Sequence, residues 1–241
     1  MSQVPVSNPS NDDTAPTRVV AIDGPAGAGK STVARALARK LGWSHLDTGA
    51  MFRAVTLGLL EAGMVPPFVD REVGAHLATT QIDLDARGHV LLDGVDRGAS
   101  LRTPRVDASV SAVAALPSVR ARLREVQRAF ARGRAVVAEG RDIGTVVFPH
   151  AAFKIWLDAS VEERARRRVA DFAEAGRAES IADVTADIRR RDDSDAGRDL
   201  APLQKADDAV AIDTTGLTIA EVVERLRVLV AAGASTGSSP R

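Results

Sequence analysis

Arg18-Val19-Val20-Ala21-Ile22-Asp23-Gly24-Pro25-Ala26-Gly27-Ala28-Gly29-Lys30-Ser31-Thr32 joins an apolar, β-branched run to a glycine-rich turn that opens into a helical pattern. The first six residues read as a strand buried on both faces, as in a parallel sheet. Gly24 to Ser31 match the G-x-x-x-x-G-K-[ST] phosphate-binding pattern. Beyond it Val33, Leu37 and Leu41 recur every four residues on one helical face, and Gly42 supplies the stop. Glycines allow the tight turn that brings successive N–H groups to an anion, and the helix aims its positive end at the same point. Gly24, Pro25, Ala26, Gly27, Ala28, Gly29, Lys30, Ser31 and Thr32 are therefore expected to hold a nucleoside triphosphate. Lys30 should reach the β- and γ-phosphates and the Ser31 hydroxyl should ligate Mg²⁺, with Thr32 the alternative hydroxyl.

Working outward, Trp43–Asp47, Arg134–Ala138, Phe153–Leu157 and Ala209–Ile212 read as further strands. Ser160-Val161-Glu162-Glu163 and Thr218-Ile219-Ala220-Glu221 fit the capping box and start helices directly after strands. Ile219, Val222, Val223, Leu226 and Val230 form the expected buried stripe of the last helix. Strands alternating with helices imply a parallel sheet with ligands at the carboxyl ends of its strands. Two stretches interrupt that alternation. Gln81–Asp85 and His89–Asp93 flank Ala86-Arg87-Gly88 as a small antiparallel hairpin. The densely charged Arg164–Arg198 segment, with Ala165, Val169 and Phe172 on one face, suggests helices that cover a site. The folded unit is expected over 17–231, with polar residues 1–16 and 232–241 read as disordered ends.

The chain has 241 residues, 45% of them hydrophobic, enough for one sizeable core. Its 32 basic and 32 acidic residues cancel, so no global field draws it to nucleic acid or an anionic membrane. Arginine outnumbers lysine 28 to 4, which fits an alanine- and arginine-rich composition and is not by itself a sign of anion sites. Cysteine is absent, excluding disulfides and thiolate metal sites, and no apolar stretch has the length of a signal or membrane span. A cytoplasmic location is expected.

Three further segments sharpen the reading: Leu46-Asp47-Thr48-Gly49-Ala50-Met51-Phe52-Arg53, Gly140-Arg141-Asp142-Ile143-Gly144-Thr145-Val146-Val147-Phe148-Pro149, and Arg191-Asp192-Asp193-Ser194-Asp195-Ala196-Gly197-Arg198 with Pro202-Leu203. Together with Ile22 to Ser31 they resemble the bacterial cytidylate kinases, over nearly the whole stretch from Val19 to Leu229. The resemblance implies the nucleoside-monophosphate-kinase fold: a five-stranded parallel sheet wrapped by helices, an inserted small antiparallel sheet and a helical lid. It places an acceptor-binding insert at about 48–120 and the lid at about 162–200. It implies transfer of the γ-phosphoryl of ATP, with Mg²⁺, to CMP or dCMP by a monomer that binds neither nucleic acid nor membrane.

Residue by residue, the resemblance gives Arg53, Arg141 and Arg198 the acceptor phosphate, and Arg191 and Asp195 the ribose hydroxyls. Ser111, Arg120 and Asp142 become the cytosine readers, Thr48 lines the acceptor site, and Lys30, Arg141 and Arg198 carry the catalytic electrostatics. A carboxylate and a cationic fork complement the amino donor and the N3 and O2 acceptors of cytosine. Arg164 and Arg168 become candidate ATP-side contacts. The family often has Ser and Tyr where Thr48 and Phe52 stand, so Phe52 is read as packing only. The residue pattern alone leaves Arg120 open between solvated helix surface and site, and Asp142 between an ion pair with Arg141 and a substrate contact. It also leaves open a kinase for another acceptor, such as UMP or AMP, and a non-catalytic nucleotide-binding protein. The absence of an N-K-x-D guanine-reading sequence argues against a GTP switch.

Overall fold

In the computed structural model, which describes residues 18–174 and 176–236, the opening apolar run forms β1 (Arg18–Asp23) at the centre of a five-stranded parallel sheet. β6 (Ala135–Gly140) and β7 (Phe153–Asp158) flank it, with β2 (Ser44–Asp47) outside β6 and β8 (Val210–Asp213) outside β7. In this register Asp23 lies beside Gly140 and Trp156, and Asp47 beside Glu139, so the polar residues ending these strands converge along one edge.

Side chains on β1 alternate between two cores. Val19 and Ala21 join Leu46, Met51 and Leu59 beneath α2 (Thr48–Glu61) and α5 (Pro117–Ala131). Val20 and Ile22 join Val33, Leu37 and Leu226 beneath α1 (Lys30–Leu41) and α8 (Ile219–Thr236). Each such burial contributes roughly 1.5–3 kcal/mol, and loss of both faces would unseat the strand that carries the phosphate loop.

The insert after α2 contains α3 (Asp70–Leu77), the strands β3 (Ile82–Leu84), β4 (Val90–Leu92) and β5 (Val95–Asp96), and α4 (Pro104–Ala114). The expected hairpin thus has a third strand, too short at two residues to show a period-2 pattern. α6 (Val161–Glu174) and α7 (Ile181–Ala196) pack on each other through Ala165, Val184 and Ile188, a small core separate from the other two. Thr218 and Glu221 form the reciprocal box expected at α8, exchanging bonds of 2.8 and 3.3 Å. At α6 only half the box forms. Ser160 Oγ accepts from Glu163 N, but the Glu163 carboxylate turns to Arg166 and Arg167, and Thr215 Oγ1 accepts from Ser160 N instead.

Two boundary expectations need correcting. Ile219 is exposed at the first turn of α8 rather than buried in its stripe, and α8 runs to Thr236, past the expected end at 231. The expectations for residues 1–16 and 237–241 lie outside the described residues. No helix among the described residues is long and apolar enough to cross a membrane.

The exit from β1 is fixed by two contacts. Gly24 has φ 150°, and a Cβ there would stand 1.9 Å from the Leu157 carbonyl oxygen. Asp23 accepts from Ile143 N at 2.8 Å and Gly144 N at 2.7 Å, capping the single helical turn Ile143–Val147 that follows β6. Burial raises the Asp23 pKa to about 6 against the pull of those amides. Asp23→Ala leaves two buried amides without an acceptor, at about 1–3 kcal/mol each. Urea denaturation should show a markedly lower midpoint, and an unchanged midpoint would contradict this role.

Candidate active site

Each sheet strand that ends near β1 hands its next residues to the cleft. β1 delivers the loop Gly24–Gly29, β2 delivers Thr48 and α2, and β6 delivers Glu139 to Asp142. Asp47 caps α2 by accepting from Ala50 N, which aims that helix's positive end into the same space.

Gly27, Ala28, Gly29, Ser31 and Thr32 border a cleft of about 320 Å³, closed on its far side by Arg167, Arg168, Thr214 and Leu217. Gly24, Pro25 and Ala26 lie deeper, and the Pro25 carbonyl and both backbone polar groups of Ala26 bond within the protein. Lys30 is buried, and its Nζ donates to Pro25 O at 2.6 Å. Burial and the nearby Arg141 lower its pKa to about 7, against the opposing pull of Glu139, Asp23 and Asp192. A larger space of about 880 Å³ adjoins it, with Lys30, Ser31, Arg53, Glu139, Arg141 and Arg168 on its walls.

On the other side of that space, Thr48, Arg53, Ser111 and Arg120 meet Arg141, Asp142, Arg191, Asp195 and Arg198 around a pocket of about 90 Å³. These residues come from α2, α4, α5, the turn after β6, and α7 with the segment beyond it. Every acceptor-site residue named from the sequence is therefore brought to one place. The guanidinium groups are held by carboxylates: Arg53 to Asp107 at 2.5 Å, Arg141 to Asp195 at 2.9 Å, and Arg198 to the other oxygen of Asp195. Asp142 pairs with Arg120 at 2.5 Å and not with Arg141, and Arg120 also donates to Ala114 O. That pairing settles the position of Arg120: it faces the pocket over the Phe52 ring, 5.5 Å from its centroid, and is no solvated surface residue. The Thr48 hydroxyl donates to Glu139 O at 2.7 Å, so it fixes the turn after β6 while lining the pocket. Burial and the repulsion of Arg53, Arg168 and Arg141 bring the Arg191 pKa down to about 10, a sign of how much positive charge is concentrated here.

Sequence reasoning missed Glu139, Asp107, Asp192 and Arg102. Glu139 is buried at the end of β6, and its Oε1 has no hydrogen-bond partner. Burial pushes its pKa up, but His45, Lys30 and the Ser31 hydroxyl outweigh that and hold it below the usual carboxylate range. His45 Nε2 stands 3.8 Å away, too far for a hydrogen bond. The pKa of Asp47, half-buried beside Glu139, is pushed up by desolvation and by that carboxylate. A signal for Glu139 existed, since it directly precedes Gly140-Arg141-Asp142 at a strand's carboxyl end. Arg102, whose side chain borders both the donor cleft and the central space, carried none.

The two arginines expected on the ATP side separate. Arg164 is buried, donating from Nε to Ala159 O and from Nη1 to Ala26 O and Asp192, so no donor of those atoms faces the cleft. Arg168 lines both the donor cleft and the central space, stacked 5.1 Å over the Phe172 ring, with its Nε unpartnered.

Comparison with known proteins agrees with this geometry. The family model described as cytidylate kinase matches residues 20–232. The cytidylate kinase of Symbiobacterium thermophilum is 48% identical over 213 residues, covering 86% of this chain and 93% of that protein. That of Geobacter sulfurreducens is 47% identical, covering 88% and 92%. A crystal structure of an uncharacterized protein from Eubacterium ventriosum shares the fold at a TM-score of 0.52, with 10% identity over 90% of this chain and 99% of that one. Matches of that extent establish that this protein belongs to the cytidylate kinase family.

Proposed function

We propose that this chain transfers the γ-phosphoryl of ATP to CMP or dCMP, giving CDP or dCDP, with the 320 Å³ cleft as donor site and the arginine-lined pocket as acceptor site. The observation that carries the reading is the convergence of Arg53, Arg120, Arg141, Arg191 and Arg198, scattered along the sequence, on a single pocket beside the phosphate loop.

Phosphoryl transfer needs positioning and charge neutralisation far more than covalent chemistry. Arg53, Arg141 and Arg198 take the acceptor phosphate, exchanging their bonds to Asp107 and Asp195 for bonds to its oxygens. Arg191 and Asp195 face the ribose. Asp142 accepts from the cytosine amino group while Arg120, fixed by Asp142 and Ala114 O, donates toward N3 and O2, with Ser111 beside them. Uracil reverses the donor pattern and leaves that ion pair mismatched. Lys30 leaves Pro25 O for the donor phosphates, and Arg168 and Arg102 supply further positive charge from the cleft wall.

The site suits a hard cation. The Ser31 hydroxyl and the ionised Glu139 carboxylate, whose Oε1 has no hydrogen-bond partner, form an oxygen set of the kind Mg²⁺ prefers. Ser31, with Glu139 behind it, would hold Mg²⁺, which would supply positive charge to neutralise the phosphates. The insert at about 48–120 and the lid at about 162–200 close over the two nucleotides and exclude water. One chain supplies all of these groups, which suits a monomer, and the cysteine-free sequence suits the cytoplasm.

Two measurements test the reading. In a coupled ADP-release assay, CMP and dCMP should turn over with kcat/KM exceeding that of UMP and AMP by on the order of 10⁴. Arg120→Ala should lower kcat/KM for CMP about 10–100-fold, the worth of a charged hydrogen bond, and narrow the gap to UMP. Equal use of UMP by the unaltered protein would sink the assignment. The second measurement uses the depressed pKa of Lys30. At pH 8 a group with pKa about 7 is largely neutral, and a bound triphosphate raises that pKa, so ATP binding should take up a proton. Calorimetry in buffers of differing ionisation enthalpy should show that uptake, and Lys30→Met should abolish both the uptake and transfer. Unchanged uptake in the variant would contradict the role.

A further inference from the structure

Ala26, in the phosphate loop, has both of its backbone polar groups held by the lid. Its N–H donates to Asp192 Oδ1 at 3.1 Å, and its carbonyl accepts from Arg164 Nη1 at 2.9 Å. The same Nη1 binds the other oxygen of Asp192 at 2.5 Å, while Arg164 Nε donates to Ala159 O. An ion pair between α6 and α7, its arginine buried and its aspartate partly buried, therefore clasps one residue of the loop from both sides. The packing agrees with the hydrogen bonds. A Cβ on Gly27, whose φ is 81°, would stand 3.0 Å from the Arg164 Cβ and 3.1 Å from its carbonyl oxygen, so the loop lies directly against the first turn of α6.

Peptide planarity gives these contacts a consequence. In a trans peptide the C=O and N–H point in opposite directions. The Ala26 N–H shares its peptide with Pro25 C=O, so Asp192 on one side aims Pro25 O away from itself, where it receives Lys30 Nζ at 2.6 Å. The Ala26 C=O shares its peptide with the Gly27 N–H, so Arg164 on the carbonyl turns that N–H away from the lid, and Gly27 borders the donor cleft. We propose that Arg164 and Asp192 are positioning residues that set two successive peptides of the phosphate loop, thereby holding Lys30 at Pro25 O until the donor phosphates draw it away and presenting the Gly27 amide to those phosphates. The reading rests on residues 24–32 being the ATP site.

The pair acts on the donor side alone. Neither Arg164 nor Asp192 lines the acceptor pocket, although Asp192 is adjacent in sequence to Arg191, which does. A general loosening of the fold would weaken both substrates, whereas loss of the clasp should weaken ATP selectively. It should also be indivisible, since each partner needs the other to hold its place.

The test is steady-state kinetics on the full chain with ATP and CMP varied separately, alongside thermal unfolding. Asp192→Ala and Arg164→Ala should each raise the KM for ATP about tenfold, as expected for a lost charged hydrogen bond, with the KM for CMP within about twofold of the original. Asp192→Asn keeps an oxygen for the Ala26 N–H and should recover part of the loss, leaving about a threefold rise. The double variant should be no worse than the weaker single one. If the alanine variants do not fold, Asp192→Asn and Arg164→Lys carry the test through the same split between the two KM values. The proposal is overturned if the KM for ATP stays within twofold in these variants, if both KM values rise together, or if the two substitutions add. Failure of the ATP-site reading itself would look different, because the unaltered chain would then not saturate with ATP.

Discussion

Several guanidinium groups crowded around one small pocket repel one another, and the site depends on how that repulsion is contained. Arg53, Arg120, Arg141 and Arg198 are each tethered by a carboxylate, from Asp107, Asp142 or Asp195, and these are ion pairs with little exposed surface. Breaking such a pair without a replacement partner leaves an uncompensated charge at a cost of several kcal/mol. A phosphate dianion is a suitable replacement, because its oxygens accept charged hydrogen bonds from guanidinium donors as a carboxylate does. The carboxylates thus keep the arginines aimed inward, and under the proposed function recognition is an exchange of anions at fixed cations. Arg191, with its pKa drawn down to about 10 and only a 3.9 Å approach to Asp187, is the least compensated of the group.

The fold supplies the convergence. A parallel sheet ends all its strands on one side, and the order β2-β6-β1-β7-β8 puts the phosphate loop next to the turn that carries Arg141 and Asp142. Asp23 binds these two segments directly through the amides of Ile143 and Gly144. The Thr48 hydroxyl ties α2 to the same turn through Glu139 O. Donor and acceptor sites are therefore built on one rigid edge, while α6 and α7 share a small core of their own and join that edge through Arg164 and Asp192. The contact that ties α6 and α7 to the phosphate loop falls on one residue of that loop, Ala26.

Much of this was legible in the sequence, for definite reasons. Phosphate loops are defined by glycine positions and one lysine, and these are local in the chain, so Gly24 to Ser31 could be read without knowledge of contacts. The strands β1 and β6 carry continuous apolar runs, and the acceptor residues other than Ser111 and Arg120 sit in short segments that resemble a known family. What escaped was tertiary. Asp107 matters because α4 brings it to Arg53, and Asp192 because α7 brings it to Ala26 across 166 residues. The resemblance made Arg164 a candidate ATP-side contact, yet its turn of α6 points at the loop backbone, and Arg168, one turn later, faces the cleft. The third strand of the insert and the exposed Ile219 show the same limit: two residues cannot show periodicity, and an apolar side chain at a helix start follows the packing around it.

The central claim is that acceptor binding is an exchange of carboxylates for phosphate at prearranged arginines. A crystal structure with CMP and a non-hydrolysable ATP analogue tests it most directly, through the distances from Arg53, Arg141 and Arg198 to the CMP phosphate. The account predicts hydrogen-bond distances to that phosphate, with the bonds to Asp107 and Asp195 lengthened or broken. Arginines still paired to those carboxylates, with the phosphate held elsewhere, would contradict it.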